Sequence, residues 1–206
     1  DASHFPGDHL TAVPGADEGR FQGFTRAVNM EIVSMIREFV GGLARTEYGK
    51  EKVAASNAVA PETIAAVEEQ LGFRLPATLS RIYTEIANGG IGPGYGIFPV
   101  HSEPETNDLV DMFRYCLEGN GSIPNWNWPG TLLPFVSHGC GIYECIDCSV
   151  PEYPVHIHNP DYLDDSGFHS SLAPLASTIE GRLVAWVINE DLIAAAKSRF
   201  GTACLS

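Results

Sequence analysis

Apolar residues recur at helical spacing in two neighbouring segments, which are separated by a proline-containing corner. Ile64, Val67 and Leu71 are three and four residues apart, so they lie on one face of an α-helix. A second stripe follows with the same spacing: Leu79, Ile82, Tyr83 and Ile86. The pattern predicts two consecutive helices over residues 61–71 and 76–87.

Residues with special backbone preferences mark the ends of both helices. Pro61 suits the first position of a helix, where its missing N–H has no intrahelical partner. Gly72 is a natural left-handed stop. Pro76 opens the second helix, and the run Asn88-Gly89-Gly90 ends it. We therefore expect a helical corner with a fixed set of buried side chains: Leu71, Leu75, Leu79, Ile82 and Ile86.

The remaining pattern predicts more helices around a group of short strands. Helical spacing extends over residues 25–47, 107–117, 174–190 and 191–200. Short apolar runs bounded by turn residues predict strands over residues 95–100, 132–138, 141–147 and 155–158. Residues 1–24 have no hydrophobic period and are expected to form a poorly ordered arm. The fold class is therefore α+β, with a mainly antiparallel sheet in one domain over residues 25–206.

An ordered set of residues within these elements resembles the SMI1/KNR4 family of the SUKH superfamily. The first block consists of Glu68, Leu71, Gly72, Leu75, Pro76, Tyr83, Asn88, Gly89 and Gly90. The second block consists of Leu132-Leu133-Pro134-Phe135, Gly139 and Asp147. The resemblance covers residues 25–200 and implies an α+β protein that acts by binding. Bacterial members are implied to be immunity proteins, which neutralise toxin domains such as nucleases and deaminases.

The charge composition limits the class of partner that the chain is expected to bind. Twelve basic and twenty-six acidic residues give a net charge of −14. This net charge argues against binding nucleic acid or an anionic membrane through a basic face, and it favours a basic protein partner. No apolar run approaches the roughly 20 residues that cross a bilayer. The five cysteines are an odd number, which favours reduced thiols and a cytoplasmic location.

Two groups of residues resemble parts of a metal site. Cys145 and Cys148 have the spacing of zinc ligands, with Cys140 nearby, but no second pair follows them. His156 and His158 share one strand face, but no third ligand is evident, and the favoured interpretation is a solvent-facing strand surface that runs into an acidic turn. We predict no metal, no cofactor and no catalytic residue. A small metal-dependent enzyme built on His156 and His158 is the alternative from a different class.

Candidate partner-binding residues come from the loop 119–130. Trp126 and Trp128 alternate between prolines, and tryptophan is enriched at interface hot spots. The competing interpretation is that one of them fills the core. Tyr95, Glu144 and Asp147 complete the predicted binding set. The sequence thus predicts a non-catalytic immunity protein for a basic toxin, and the alternative within the family is a regulatory interaction protein of the cell-wall type.

Overall fold

The computed structural model describes residues 32–43, 57–101 and 107–197. The predicted N-terminal arm, residues 1–24, lies outside these ranges. The helices are α1 (residues 32–43), α2 (Pro61–Leu71), α3 (Ala77–Glu85), α4 (Leu109–Glu118), α5 (Ile179–Val187) and α6 (Leu192–Lys197). The strands are β1 (Leu132–Gly139), β2 (Ile142–Asp147), β3 (Val155–His158) and β4 (Leu172–Ala176). Short 3₁₀ turns cover Pro160–Tyr162 and Phe168–Ser171. The predicted α+β class is confirmed.

The corner between α2 and α3 forms as the sequence predicts. Gly72 adopts a left-handed conformation with φ 81°, and its N–H donates to the Glu68 carbonyl at 2.9 Å. The Glu68 carboxylate also accepts the Leu75 N–H at 3.0 Å, which fixes the chain between the helices. Pro76 precedes the first helical residue, and Ile86 is half-buried rather than buried. The other four expected residues are buried.

The Asn-Gly-Gly run connects this corner to the segment that follows it. The Asn88 side chain accepts the Val100 N–H at 2.8 Å and donates to the His101 carbonyl at 2.6 Å. Gly89 has φ 80°, and a Cβ there would lie 2.6 Å from the Ile97 carbonyl oxygen. Only glycine fits such a close backbone approach, so this part of the motif holds residues 97–101 against the end of α3.

The four strands form an antiparallel meander in the order β1-β2-β3-β4. Ile146, Val155 and Ile157 face the main core, which the helices cover. Tyr143 and Cys145 face a second apolar cluster on the opposite side. Since both faces are covered, side chains on either face of β2 are buried. Strands β1 to β3 lie within a residue or two of the predicted positions.

The helix predicted over residues 174–190 is wrong in its first part. Residues Leu172–Ala176 form the edge strand β4, and the helix begins only at Ile179. Pro174 is tolerated because an edge strand has one side without ladder bonds. The Thr178 hydroxyl accepts the Gly181 N–H at 3.0 Å and caps α5. That cap, rather than the proline, marks the start of the helix.

The strand predicted over residues 95–100 is also wrong. This segment runs beside β1 but makes a single β-bridge, between Ile97 and Val136. The Tyr95 N–H donates to the Ser137 carbonyl at 2.8 Å, and the ladder does not continue regularly. Gly94 and Gly96 have φ values of 55° and 98°, which are incompatible with an extended strand.

Candidate partner-binding site

Both tryptophans of the loop 119–130 are buried. Trp126 is 9% exposed and Trp128 is 2% exposed, and their rings stack with centroids 5.5 Å apart. The Trp126 indole N–H donates to the Cys116 carbonyl, and the Trp128 indole N–H donates to the Leu132 carbonyl, each at 2.7 Å. The indoles therefore attach the loop to α4 and β1, and Trp128 has no surface for a partner.

Asn120 and Gly119 hold this loop in place at its start. The Asn120 side chain donates to the Trp128 carbonyl at 3.0 Å and accepts the Trp128 N–H at 2.6 Å. A Cβ on Gly119 would lie 2.5 Å from the Trp126 indole nitrogen. The glycine therefore permits the close approach of the indole to the end of α4.

His158 lies at the centre of the second apolar cluster. Its ring stacks with Phe168 and packs edge-on against both tryptophans, with centroids 5.0–5.5 Å apart. The Ser171 hydroxyl donates to the Phe168 carbonyl, so it accepts the proton of His158 Nδ1 at 3.0 Å. Burial lowers the pKa of His158 to about 4, which keeps the imidazole neutral at physiological pH. The expected solvent-facing strand surface is wrong for this residue.

A groove of about 420 Å³ opens beside this cluster. Trp126 and Tyr143, which are largely buried, line it together with residues that are exposed. Tyr115 from α4 is 63% exposed, and Ile123 from the loop is 45% exposed. Pro160 follows β3 and completes the apolar lining. Exposed aromatic and aliphatic side chains next to a concave aromatic surface are typical of a binding site.

The groove and its surroundings are acidic. Glu118 and Ser122 contribute polar groups to its lining, and no Lys, Arg or His among the described residues lines it. Burial, and secondarily the neighbouring Cys116 and Tyr115, raise the pKa of Tyr143 to about 12, so that its phenol is uncharged. Pro160 begins the segment that carries three aspartates: Asp161, Asp164 and Asp165. The surface therefore favours a cationic group.

The tip of the β1–β2 hairpin separates this groove from Tyr95. Gly141 lines the groove, and a Cβ on Gly139 would lie 3.0 Å from the Tyr95 ring. Tyr95 is 70% exposed on the glycine-rich loop. Its ring thus lies next to Gly139 at the hairpin tip, whereas Gly141 lines the groove.

Glu144 is buried in an ion-pair network beneath the sheet. Arg182 of α5 donates Nε and Nη2 to its two carboxylate oxygens at 2.7 and 2.6 Å, and His138 Nε2 lies 2.9 Å from Oε1. Burial alone would raise the pKa of Glu144, but the hydrogen bonds from His138 and Arg182 together hold it below its usual value. The carboxylate is ionised and bonds within the protein.

The predicted binding residues differ in how far the structure exposes them. Trp128 and Glu144 are buried, so as placed they stabilise the fold rather than face a partner. Asp147 is half-buried, and its Oδ1 accepts the N–H and hydroxyl of Ser149 at 2.9 and 2.6 Å. Tyr95 is exposed and Trp126 lines the groove, and their partner-binding role stays a prediction.

Sequence reasoning missed three groove residues: Tyr115, Ile123 and Tyr143. Tyr115 follows Arg114 on the outer side of α4, away from the buried stripe that contains Met112, Phe113 and Cys116. A large aromatic residue outside the apolar stripe of its helix indicates an exposed binding residue, and the hydrophobic pattern of the sequence already contained this signal. Tyr143 gave no such signal, because only the tertiary structure places part of its ring at the groove.

Cysteine and histidine geometry gives no support to a metal site. Within residues 32–43, 57–101 and 107–197, no group of three or more Cys, His, Asp or Glu side chains could hold a metal ion. Burial raises the pKa of Cys148 to about 12 and also raises that of Cys145, which disfavours the thiolate that binds zinc. The predicted absence of a metal stays a prediction.

The meander sheet, its covering helices and the aromatic groove together define a small α+β domain. Over residues 58–181, more than half of the chain, the sequence matches the model of the SMI1 / KNR4 family (SUKH-1). The chain belongs to this family, and the resemblance expected from the sequence is confirmed. The family is consistent with an immunity-type or interaction module and is generally non-catalytic. A comparison with curated proteins finds no match. Among the described helices, none is both long and apolar enough to span a membrane.

Proposed function

We propose that this protein is an immunity protein, which binds and neutralises a basic toxin domain through the groove between α4, the loop 119–130 and the hairpin tip. The carrying observation is the aromatic groove, which has the Glu118 carboxylate in its lining and no cationic side chain among its described lining residues. A nuclease or a deaminase is the expected class of toxin, because enzymes that act on nucleic acid present basic surfaces.

Exposed apolar side chains at the groove support a protein as the partner. Tyr115 and Ile123 are both more than two-fifths exposed, although large apolar side chains are usually buried. Interface hot spots combine aromatic anchors with neighbours that exclude water. Trp126 forms a fixed part of the groove lining, because its indole N–H already bonds to the protein.

Net charge supports rapid association with such a partner. The chain carries a net charge of −14, and an oppositely charged toxin would be attracted over a distance set by the ionic strength. An immunity protein benefits from a fast encounter, because the toxin acts until it is bound. The free thiols Cys116, Cys145 and Cys148 fit a reducing cytoplasm as the place of action.

The test is to identify the toxin domains encoded by genes adjacent to this one and to titrate the full chain with them. We expect a one-to-one complex whose association rate constant falls at least tenfold between 50 mM and 500 mM salt. Co-expression of the chain should also restore the growth of cells that produce the toxin. Calorimetry and stopped-flow fluorescence measure the affinity and the rate.

A matched pair of variants tests the location of the interface. Ile123→Lys places a positive charge in the groove and should weaken binding by at least tenfold. Val150→Lys makes the same change at an exposed position outside the groove and should leave the affinity within twofold. If no complex forms at low salt, the immunity function is wrong. If both lysine variants bind like the unchanged protein, the partner uses another surface.

A further inference from the structure

The groove combines three aromatic rings with one carboxylate. Tyr115, Trp126 and Tyr143 line it from α4, the loop 119–130 and β2, and Glu118 lies on its rim. Aromatic faces attract cations through their negative quadrupole, and the attraction strengthens where water is excluded. A nearby carboxylate adds a direct charge partner. This set of groups is suited to a cationic side chain.

The described part of the protein leaves this position without a cation of its own. Its five arginines all bond elsewhere: Arg37 and Arg81 to Glu85, Arg74 to Glu68, Arg114 to Gln70, and Arg182 to Glu144. None of them lines the groove. The neighbouring segment after Pro160 adds aspartates rather than bases. Since no Lys or Arg side chain among the described residues lines the groove, we take the partner as the source of the positive charge.

Arginine fits the groove better than lysine or an apolar residue. Its planar guanidinium stacks on aromatic rings and is less strongly hydrated than an ammonium group. It also has five N–H donors, which match the acceptors that Glu118 and the Ser122 hydroxyl provide at the rim. An apolar side chain would leave those acceptors without a partner.

We infer that the groove is an arginine-binding site, in which a guanidinium from the partner protein lies against Tyr115, Trp126 and Tyr143 and pairs with Glu118. This assignment rests on the proposed function, because it names the group by which the partner would be recognised. It specifies the chemistry of one contact within that interface.

The experiment uses N-acetyl-arginine amide as the probe and NMR of the full ¹⁵N-labelled chain as the readout. The three tryptophans give three indole N–H signals, and only Trp126 lines the groove. We expect the Trp126 signal to shift and saturate, with a Kd on the order of 1 mM for a ligand of this size. Trp128 and Trp186 serve as internal controls. N-acetyl-lysine amide should bind at least threefold more weakly, and N-acetyl-leucine amide should cause no saturable shift.

Two pairs of variants assign the contacts. Glu118→Gln should weaken arginine binding about two- to fivefold, whereas Glu152→Gln removes the same charge from an exposed position outside the groove and should have no effect. Tyr115→Leu should weaken binding about fivefold, and Tyr95→Leu should have no effect on this small probe. All four side chains are exposed, so the variants are expected to fold.

Each outcome decides between the two proposals. If arginine amide shifts no signal at the groove while a basic toxin still binds, the arginine site is wrong and the immunity function stands. If arginine amide binds at Trp126 while the toxin does not bind, the site stands and the function is wrong. Equal binding of the leucine amide, or loss of binding in Glu152→Gln, would overturn the assignment of the site.

Discussion

Replacing Arg182 by Met should lower the free energy of unfolding by about 3–5 kcal/mol. Arg182 is 4% exposed, Glu144 is fully buried, and two hydrogen bonds of 2.7 and 2.6 Å join them. Without the guanidinium, the buried carboxylate keeps His138 as its one hydrogen-bond partner among the described residues. The cost arises mainly from that unpaired charge rather than from lost attraction.

A double replacement separates the two contributions. Glu144→Leu combined with Arg182→Met removes both charges, so it should cost at least 1 kcal/mol less than the sum of the two single variants. Arg81→Met is the control, because the Arg81–Glu85 pair is half-exposed on α3 and should contribute less than about 1 kcal/mol. Urea unfolding, followed by tryptophan fluorescence and circular dichroism, gives each free energy by linear extrapolation.

The pH dependence provides an independent check on the same pair. Glu144 has a lower pKa in the folded protein than its ordinary value of 4.5. Its contribution to stability is therefore fully present above pH 4.5 and is lost as the pH falls through the folded pKa. A cost below 1 kcal/mol for Arg182→Met at pH 7, or strict additivity in the double variant, would refute the reasoning.

Two further predictions concern the other candidate groups. Because burial lowers the pKa of His158 from 6.5 to about 4, the unfolded chain binds a proton that the folded protein does not, so stability should fall as the pH drops from 6.5 to 4. His158→Phe should reduce the loss of unfolding free energy between pH 7 and pH 4 by up to about 3 kcal/mol, as measured by urea unfolding at both pH values. An unchanged loss would contradict this prediction. The purified protein should also contain no stoichiometric zinc, and EDTA should leave its melting temperature unchanged. Stoichiometric metal together with a lowered melting temperature would favour the metal-dependent alternative.

Local sequence determined the helical corner and the turn residues that hold it. Leu71 and Leu79 are buried as their spacing predicts, because a helix face is fixed by residues within a few turns, and Leu75 is buried at the corner between the two helices. Gly72 and Gly89 have the positive φ values that their positions require. Asp108 caps α4, as a capping residue before an apolar stripe indicates. Local sequence patterns also predicted three of the four strands, β1, β2 and β3.

Tertiary structure decided β4 and the binding surface. Pro174 allows either a helix start or an edge strand, and only pairing with β3 selects the strand. Likewise, Trp126 and Trp128 gave equal reason to expect an interface or a core. Their burial depends on α4, β3 and the 3₁₀ turn at Phe168 meeting around His158, and these elements are distant in sequence. A side chain's exposure depends on which distant segments cover it, so the sequence identified the family and its scaffold but left the groove to the fold.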